Sequence, residues 1–281
     1  MNNFWQRLFT GAVFTGTLVA AIILSGWYLH ITLGILAVLT LQEFYKLFDK
    51  SAYSPDPILG PLLGLGIYAM YILDLRVMMV GKFPHEYYVY ALIMLFPIIA
   101  ISELYRKKKT PFQNIGLSVL GMVYVLVPLI LLNRLSLDWD AKSGVYDPHQ
   151  VWPILAIFLI VWSNDTFAYL VGKQWGKTKL FERISPKKSW EGFFGGLIFA
   201  IICGNIIGYF QDGAYIEYTT YALIISVLGT IGDLIESMLK RSLGVKDSGK
   251  ILPGHGGLLD RLDAVLFAIP FIFIAHELIF N

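Results

Sequence analysis

Nine long apolar stretches dominate this chain: about 8–25, 28–45, 58–75, 86–102, 112–132, 151–172, 192–210, 218–236 and 262–280. A helix that crosses a bilayer needs roughly 20 mostly apolar residues, so each stretch is long enough to try. Runs such as Leu18 to Leu24 and Ile154 to Val161 carry no polar side chain. An outer-membrane barrel would show short alternating segments instead. The 281 residues are 56% hydrophobic and 15% charged, where a soluble domain averages about 45–50% and about 25%. These features exclude an ordinary soluble domain. They predict an all-α, polytopic integral membrane protein of about nine transmembrane helices. Arg7 precedes the first apolar run, but no small-x-small site ends that run, so it reads as a retained first span and not a cleaved leader. Cys203 stands alone, which excludes an intrachain disulfide.

Charge placement tests the count. Cytoplasmic loops of membrane proteins carry an excess of Lys and Arg. With nine spans, Arg76, Lys82, Arg134 and Lys142 fall on one side, and the other 18 of the 22 cations fall on the opposite side. A wrong count would scramble that parity. The sequence thus predicts a cytoplasmic N-terminus, an outside C-terminus, and cytoplasmic loops at 173–191 and 237–261. A multi-pass protein of the cell's inner (cytoplasmic) membrane follows. The net charge of +2 gives no reason to expect a nucleic-acid partner.

The polar residues that carry chemistry gather in the second half. Asp165 lies inside the sixth span, about 10 Å from its cytoplasmic end by the 1.5 Å rise per residue. Intramembrane carboxylates are costly and usually functional; a structural Asp satisfied by a neighbouring helix is the plainer reading. Asp233 and Glu236 sit three apart at the cytoplasmic end of the eighth span, hence on one helix face. Gly229 and Gly232 leave room beside them. Paired carboxylates are the hard oxygen ligands that Mg²⁺ prefers, with substrate phosphates completing the shell; the alternative is a solvated pair matched to Lys240. The last cytoplasmic loop adds Lys240, Arg241, Lys246, Asp247 and His255, then Gly256-Gly257, then Asp260, Arg261 and Asp263. A Gly pair can turn backbone N–H groups toward an anion, and the cations suit phosphate. Read blandly, they form a solvated membrane-surface patch, and the lone His is an even choice between acid–base group and bystander. The loop before the seventh span holds Ser185-Pro-Lys187-Lys188-Ser189-Trp-Glu191. Its two lysines offer phosphate contacts, and Ser189 and Glu191 start the next span. Gly172 to Thr178 mimics a phosphate-binding loop, but three residues separate its glycines where four are required, and no strand precedes it.

The seventh span repeats a small residue every fourth position: Gly192, Gly196, Ala200, Gly204 and Gly208. Such a ridge lets helix backbones approach closely in lipid. It serves packing within one subunit or the seam of a homodimer.

The stretch Ser237 to Asp263 resembles the signature of the phosphatidate cytidylyltransferase (CDP-diacylglycerol synthase) family. It matches at every position: Ser-x-apolar-Lys-Arg, Lys-Asp, a small residue at Gly249, apolar-Pro, His-Gly-Gly and Asp-Arg-apolar-Asp. The segments around Asn164-Asp165 and Ser185 to Gly192 are also similar to that family; residues 1–150 match only in being helical and apolar. The resemblance implies transfer of a cytidylyl group from CTP to phosphatidate, giving CDP-diacylglycerol and pyrophosphate. It implies Mg²⁺, in some members a monovalent cation such as K⁺, and Asp233 and Asp260 as metal-binding carboxylates. Residues 1–150 would then form a scaffold and lipid groove, and 151–281 the catalytic half. Asp165, Lys187, Lys188, Lys240, Arg241, His255 and Arg261 are its candidate catalytic residues. Ser185, Ser189, Glu191, Lys246, Asp247, Gly256 and Gly257 are candidates for substrate binding, and Glu236 and Asp263 join the metal set. Two other readings stay open: transfer to another lipid phosphate, and an ion or solute transporter using Asp165 and Asp233. No convincing repeat relates the two halves, as many transporters would require.

Overall fold

The computed structural model describes residues 3–49, 51–78, 87–136, 138–140, 145–147, 151–254 and 256–280. Helices occupy all nine expected stretches: α1 (Asn3–Leu24), α2 (Gly26–Lys46), α3 (Leu59–Met78), α4 (Tyr87–Arg106), α5 (Pro111–Arg134), α6 (Trp152–Trp175), α7 (Trp190–Phe210), α8 (Tyr215–Ser242) and α9 (Leu259–Phe280). Among the described residues, α1, α2 and α5 to α9 are each long and apolar enough to cross a membrane, and Leu59–Leu73 forms a shorter apolar helix. The protein is an all-α multi-pass membrane protein. Among the described residues three helices carry a π turn, at Met122–Leu126, Ile225–Gly229 and His276–Phe280. Proline starts α5, and Pro153 lies in the first turn of α6, positions where its missing N–H costs nothing.

Among the described residues two short antiparallel pairs interrupt the helices. Asp138–Asp140 (β1) pairs with Val145–Asp147 (β2), and Lys179–Phe181 (β3) pairs with Ser185–Ser189 (β4). The second pair lies where the sequence reads as a plain loop. Its strands are three and five residues long and rich in lysine, so no alternation of apolar and polar residues announces it.

The chain forms two compact units: 1–150 with 247–259, and 151–246 with 260–281. In the first unit the core is aliphatic and aromatic, with Leu33, Leu41, Phe44, Tyr45 and Leu132 almost wholly buried. Gly60 and Gly121 flank the Tyr45 ring, where any Cβ would collide with it, and the ring's hydroxyl donates to the Ser118 carbonyl at 2.8 Å. Lipid tails are as apolar as leucine, so close fitting of this kind drives helix association in a bilayer.

In the second unit the small-residue ridge of α7 is filled by helices of the same chain. A Cβ on Gly192 would lie 2.7 Å from the Ala168 carbonyl oxygen, and one on Gly196 2.8 Å from that of Asn164. Gly204 and Gly208 meet Tyr218 and Tyr215 in the same way. The ridge thus serves packing within the subunit, its first half against α6 and its second half against α8.

Candidate functional site

The site is built in the second unit, from α8 upward. Asp233, Glu236, Ser237 and Lys240 recur at three- and four-residue intervals on one face of α8. The π turn at Ile225–Gly229 ends four residues before Asp233; such turns re-aim side chains that follow. Gly229 and Gly232 let α9 come close. A Cβ on Gly232 would stand 2.6 Å from Phe267 Cβ and 2.8 Å from the Asp263 carbonyl oxygen. That approach brings Asp263 of α9 to the two acids of α8. Asp233, Glu236 and Asp263 each place a carboxylate oxygen within 4.8 Å of the others. Glu236 is fully buried and Asp233 and Asp263 are partly so.

Three ionised carboxylates gathered in a sparsely hydrated place repel one another, and positive charge nearby relieves that. Two lysines supply it. The Lys188 ammonium lies 2.6 Å from Asp233 Oδ2. Lys240 Nζ donates to Asp260 Oδ1 at 2.6 Å and also pairs with Glu236 one turn behind it. Ser237 Oγ donates to Asp233 Oδ1 at 3.2 Å. The acids are thus held in an alternating network of carboxylates and ammonium groups. The resemblance pairs Asp233 with Asp260 as metal ligands. In the structure Asp233 converges with Glu236 and Asp263, while Asp260 reaches that group through Lys240.

A cavity of about 540 Å³ adjoins this network. Asp165, Lys187, Lys188, Ser189 and Asp233 line it, so five sequence candidates from α6, β4 and α8 share one space. Asn164 donates to Asp165 Oδ1 at 3.4 Å, and Asp165 lies within electrostatic reach of Lys188, Asp233 and Arg261. Close packing of α6 and α7 aims these side chains: Gly196 of α7 abuts the Asn164 side chain, with its Cβ position 2.9 Å from Oδ1.

The β3–β4 hairpin forms another wall, and two predicted substrate contacts, Ser189 and Glu191, also bond backbone N–H groups at its edges. Ser189 caps α7, its Oγ accepting from the Gly192 N–H at 3.2 Å. Glu191 accepts from the Thr178 N–H through both oxygens, at 3.1 and 3.2 Å. Ser189 still lines the cavity, whereas Ser185 pairs with Phe181 in the hairpin. Gly176, part of the false phosphate loop, ends α6 against the Ser189 hydroxyl, 2.6 Å from its Cβ position.

Arg241 folds back to donate to the Val245 carbonyl at 3.1 Å and is exposed, as are Lys246, Asp247 and Arg261. Asp247, Gly256 and Gly257 belong to the first unit. There Gly256 has φ +86° and accepts from the Leu252 N–H at 3.1 Å, closing a tight turn with Gly254 at φ +81°. His255 lies outside the described residues.

Sequence reasoning passed over Tyr169, Lys173 and Lys179, which line the same cavity. Tyr169 and Lys173 follow Asp165 at four and eight positions, one helix face, and that spacing was the available signal. Lys179 needed the hairpin to bring it round.

An all-oxygen donor set beside a cavity lined with ammonium groups suits a hard divalent cation and an anionic, phosphate-bearing ligand. The comparisons with known proteins agree with that chemistry. A model described as the cytidylyltransferase family matches residues 5–279, and this chain belongs to that family. It is 30% identical over 280 residues to the phosphatidate cytidylyltransferase of Haemophilus influenzae, covering 95% of this chain and 96% of that protein. The phosphatidate cytidylyltransferase of Staphylococcus aureus (strain COL) is 34% identical over 250 residues, covering 88% and 89%. That of Bacillus subtilis is 39% identical over 172 residues, where the match spans 60% of the relative's length.

Proposed function

We propose that this protein is a phosphatidate cytidylyltransferase of the inner (cytoplasmic) membrane, with its site facing the cytoplasm. The observation that carries the reading is the meeting of Asp233, Glu236 and Asp263 next to a cavity that Asp165, Lys187 and Lys188 share. Family membership gives the reaction class, and the relatives' names give the lipid substrate.

In this reading a phosphate oxygen of phosphatidate attacks the α-phosphorus of CTP. A new P–O bond forms there, the bond from that phosphorus to the bridging oxygen breaks, and pyrophosphate leaves with its electron pair. The attacking oxygen is already anionic at neutral pH, so no strong general base is required. What the protein must do is bring two anions together in line and stabilise the charge that builds on the leaving group. Lys187 and Lys188 lower the repulsion between the substrates. Asp233, Glu236 and Asp263 would hold Mg²⁺, which when bound supplies charge neutralisation at the phosphates. Asp165, deeper in α6, lines the same cavity and adds a negative charge within electrostatic reach of Lys188. In this reading the N-terminal helices serve as scaffold, and the excess of Lys and Arg in alternate loops supports a cytoplasmic N-terminus.

The direct test supplies purified protein with labelled CTP, Mg²⁺ and phosphatidate, alongside other lipid phosphates. Label should appear in a CDP-lipid only with phosphatidate, with pyrophosphate released in equal amount. Labelling of a different lipid phosphate in preference to phosphatidate would overturn the substrate assignment, and no labelling of any lipid would overturn the reaction.

A further inference from the structure

Glu43 lies near the end of α2, almost wholly buried, and no element of the reaction described above uses it. Its Oε2 accepts from two successive backbone N–H groups, Leu258 at 2.6 Å and Leu259 at 3.1 Å. All three residues belong to the first unit. Leu259 opens α9, so these N–H groups are among those that a helix start leaves without a partner in its own backbone. Leucine at 258 offers no side-chain oxygen to accept from them. Glu43 therefore does from another helix what an Asp or Ser does when it caps its own, and its negative charge meets the positive end of the α9 dipole.

Two glycines of the same segment are shaped around this carboxylate. A Cβ on Gly249 would collide with the Glu43 carboxyl group, and one on Gly257 would lie 2.6 Å from Oε2. Neither glycine has a positive φ, so crowding and not backbone conformation requires glycine here: the Glu43 carboxyl group alone at Gly249, and the Ser248 hydroxyl together with Glu43 at Gly257. Thr10 of α1 adds a second tether, its hydroxyl lying 3.0 Å from the Pro253 carbonyl oxygen. The segment 247–259 is thus moulded on the first two helices, and the next residues in the chain are Asp260, Arg261 and, two further on, Asp263.

We propose that Glu43 is a positioning residue for the reaction: its carboxylate fixes the backbone at Leu258 and Leu259 and so sets where the first turn of α9 begins. This inference rests on the proposed function for its kinetic consequence and on geometry alone for its structural one. Both hydrogen bonds go to one oxygen. Glu43→Gln, with its amide oxygen in that place, preserves them, whereas Glu43→Leu keeps the volume and removes them.

The experiment compares full-length wild type, E43Q and E43L in detergent for CTP- and phosphatidate-dependent turnover, with hydrogen exchange measured across 247–262. For E43L the expected result is a fall in kcat of about 10²-fold, the scale of loss for a displacement near 1 Å, with KM for CTP changed less than about threefold. Exchange at Leu258 and Leu259 should accelerate, and E43Q should recover kcat to within about fivefold of wild type. A kcat for E43L equal to that of wild type would overturn the proposal, as would E43Q falling as far as E43L. Should E43L not fold, Gly249→Ala, which pushes the carboxylate aside, takes its place with the same expected loss and the same overturning result. If wild type itself shows no turnover, the functional reading fails and the exchange data decide this proposal: protection lost only across 247–259 upholds it, and unchanged protection overturns it.

Discussion

Lys240 is the side chain on which most of the buried charge depends. It is only 10% exposed and pairs at once with Glu236, itself inaccessible, and with Asp260. Removing one partner of a buried ionic group leaves the others uncompensated, which costs more than the group contributed. Lys240→Met should therefore lower stability by about 3 kcal/mol, seen as an earlier thermal transition in detergent. A transition at the wild-type temperature would mean that water or a neighbouring group replaces the ammonium. Asp233 presents the opposite case, being half-open to the cavity and paired with Lys188. Asp233→Ala should leave the fold intact and reduce cytidylyl transfer by about 10² to 10³-fold, as loss of one group that stabilises transition-state charge does. Lys188→Ala should cost less, because Lys187 shares the cavity. Steady-state rates for both variants, with circular dichroism as the folding control, decide this. At this scale the sequence is informative. Charged residues are so unwelcome in apolar helices that Asp165, Asp233 and Glu236 stand out without any structure. What it leaves hidden is partnership. The string offers Lys240 to Glu236 one turn away, but nothing in it says that Lys240 also reaches Asp260, since that contact needs two helices in place.

Among the elements, α8 and α9 depend on one another through glycine. The approach at Gly232 admits no side chain, so Gly232→Val should push the helices apart and draw Asp263 away from Asp233 and Glu236. Activity should fall by about 10²-fold while the helix content seen by circular dichroism stays the same. Normal turnover in that variant would separate the close packing from the chemistry. The helices themselves are legible because the bilayer imposes a length on every span, which is why the apolar stretches and the helical segments coincide. The β3–β4 hairpin is not legible. Its residues are set by the cavity they line, and its fold is held by Ser189 and Glu191 acting on neighbouring backbone N–H groups. In the sequence those two residues read as substrate contacts; that they also bond backbone N–H groups is not legible there, since a polar side chain beside lysines looks the same in either role. The π turns escape for a related reason: one extra residue in a turn leaves no mark on an apolar run.

For the whole molecule the orientation in the membrane is the property to test. In a Cys203→Ser background, a single cysteine replacing Lys108 or Lys177 should react with a membrane-impermeant maleimide only after inverted vesicles expose the cytoplasmic face. One replacing Asp212 should react from outside in intact cells. The reverse pattern would invert the topology inferred from the lysine and arginine bias. Removal of divalent ions with a chelator should abolish transfer, and Mg²⁺ should restore it. Full activity after chelation would separate the acid cluster from metal binding.

The hydrogen bond from Leu259 to Glu43 joins residues 216 positions apart, and that distance bears on how the protein is made. A ribosome adding about 5–20 residues per second exposes α2 to the bilayer many seconds before the strand that will cover its buried acid exists. The first unit cannot be finished by its own early helices. It waits, with a carboxylate lacking the loop built to meet it, until nearly the last segment has emerged. Closing so long a loop is entropically slow, so this contact is among the late ones to form. A chain halted before residue 258 would leave the insertion machinery with its first half incomplete and recognisable to quality control.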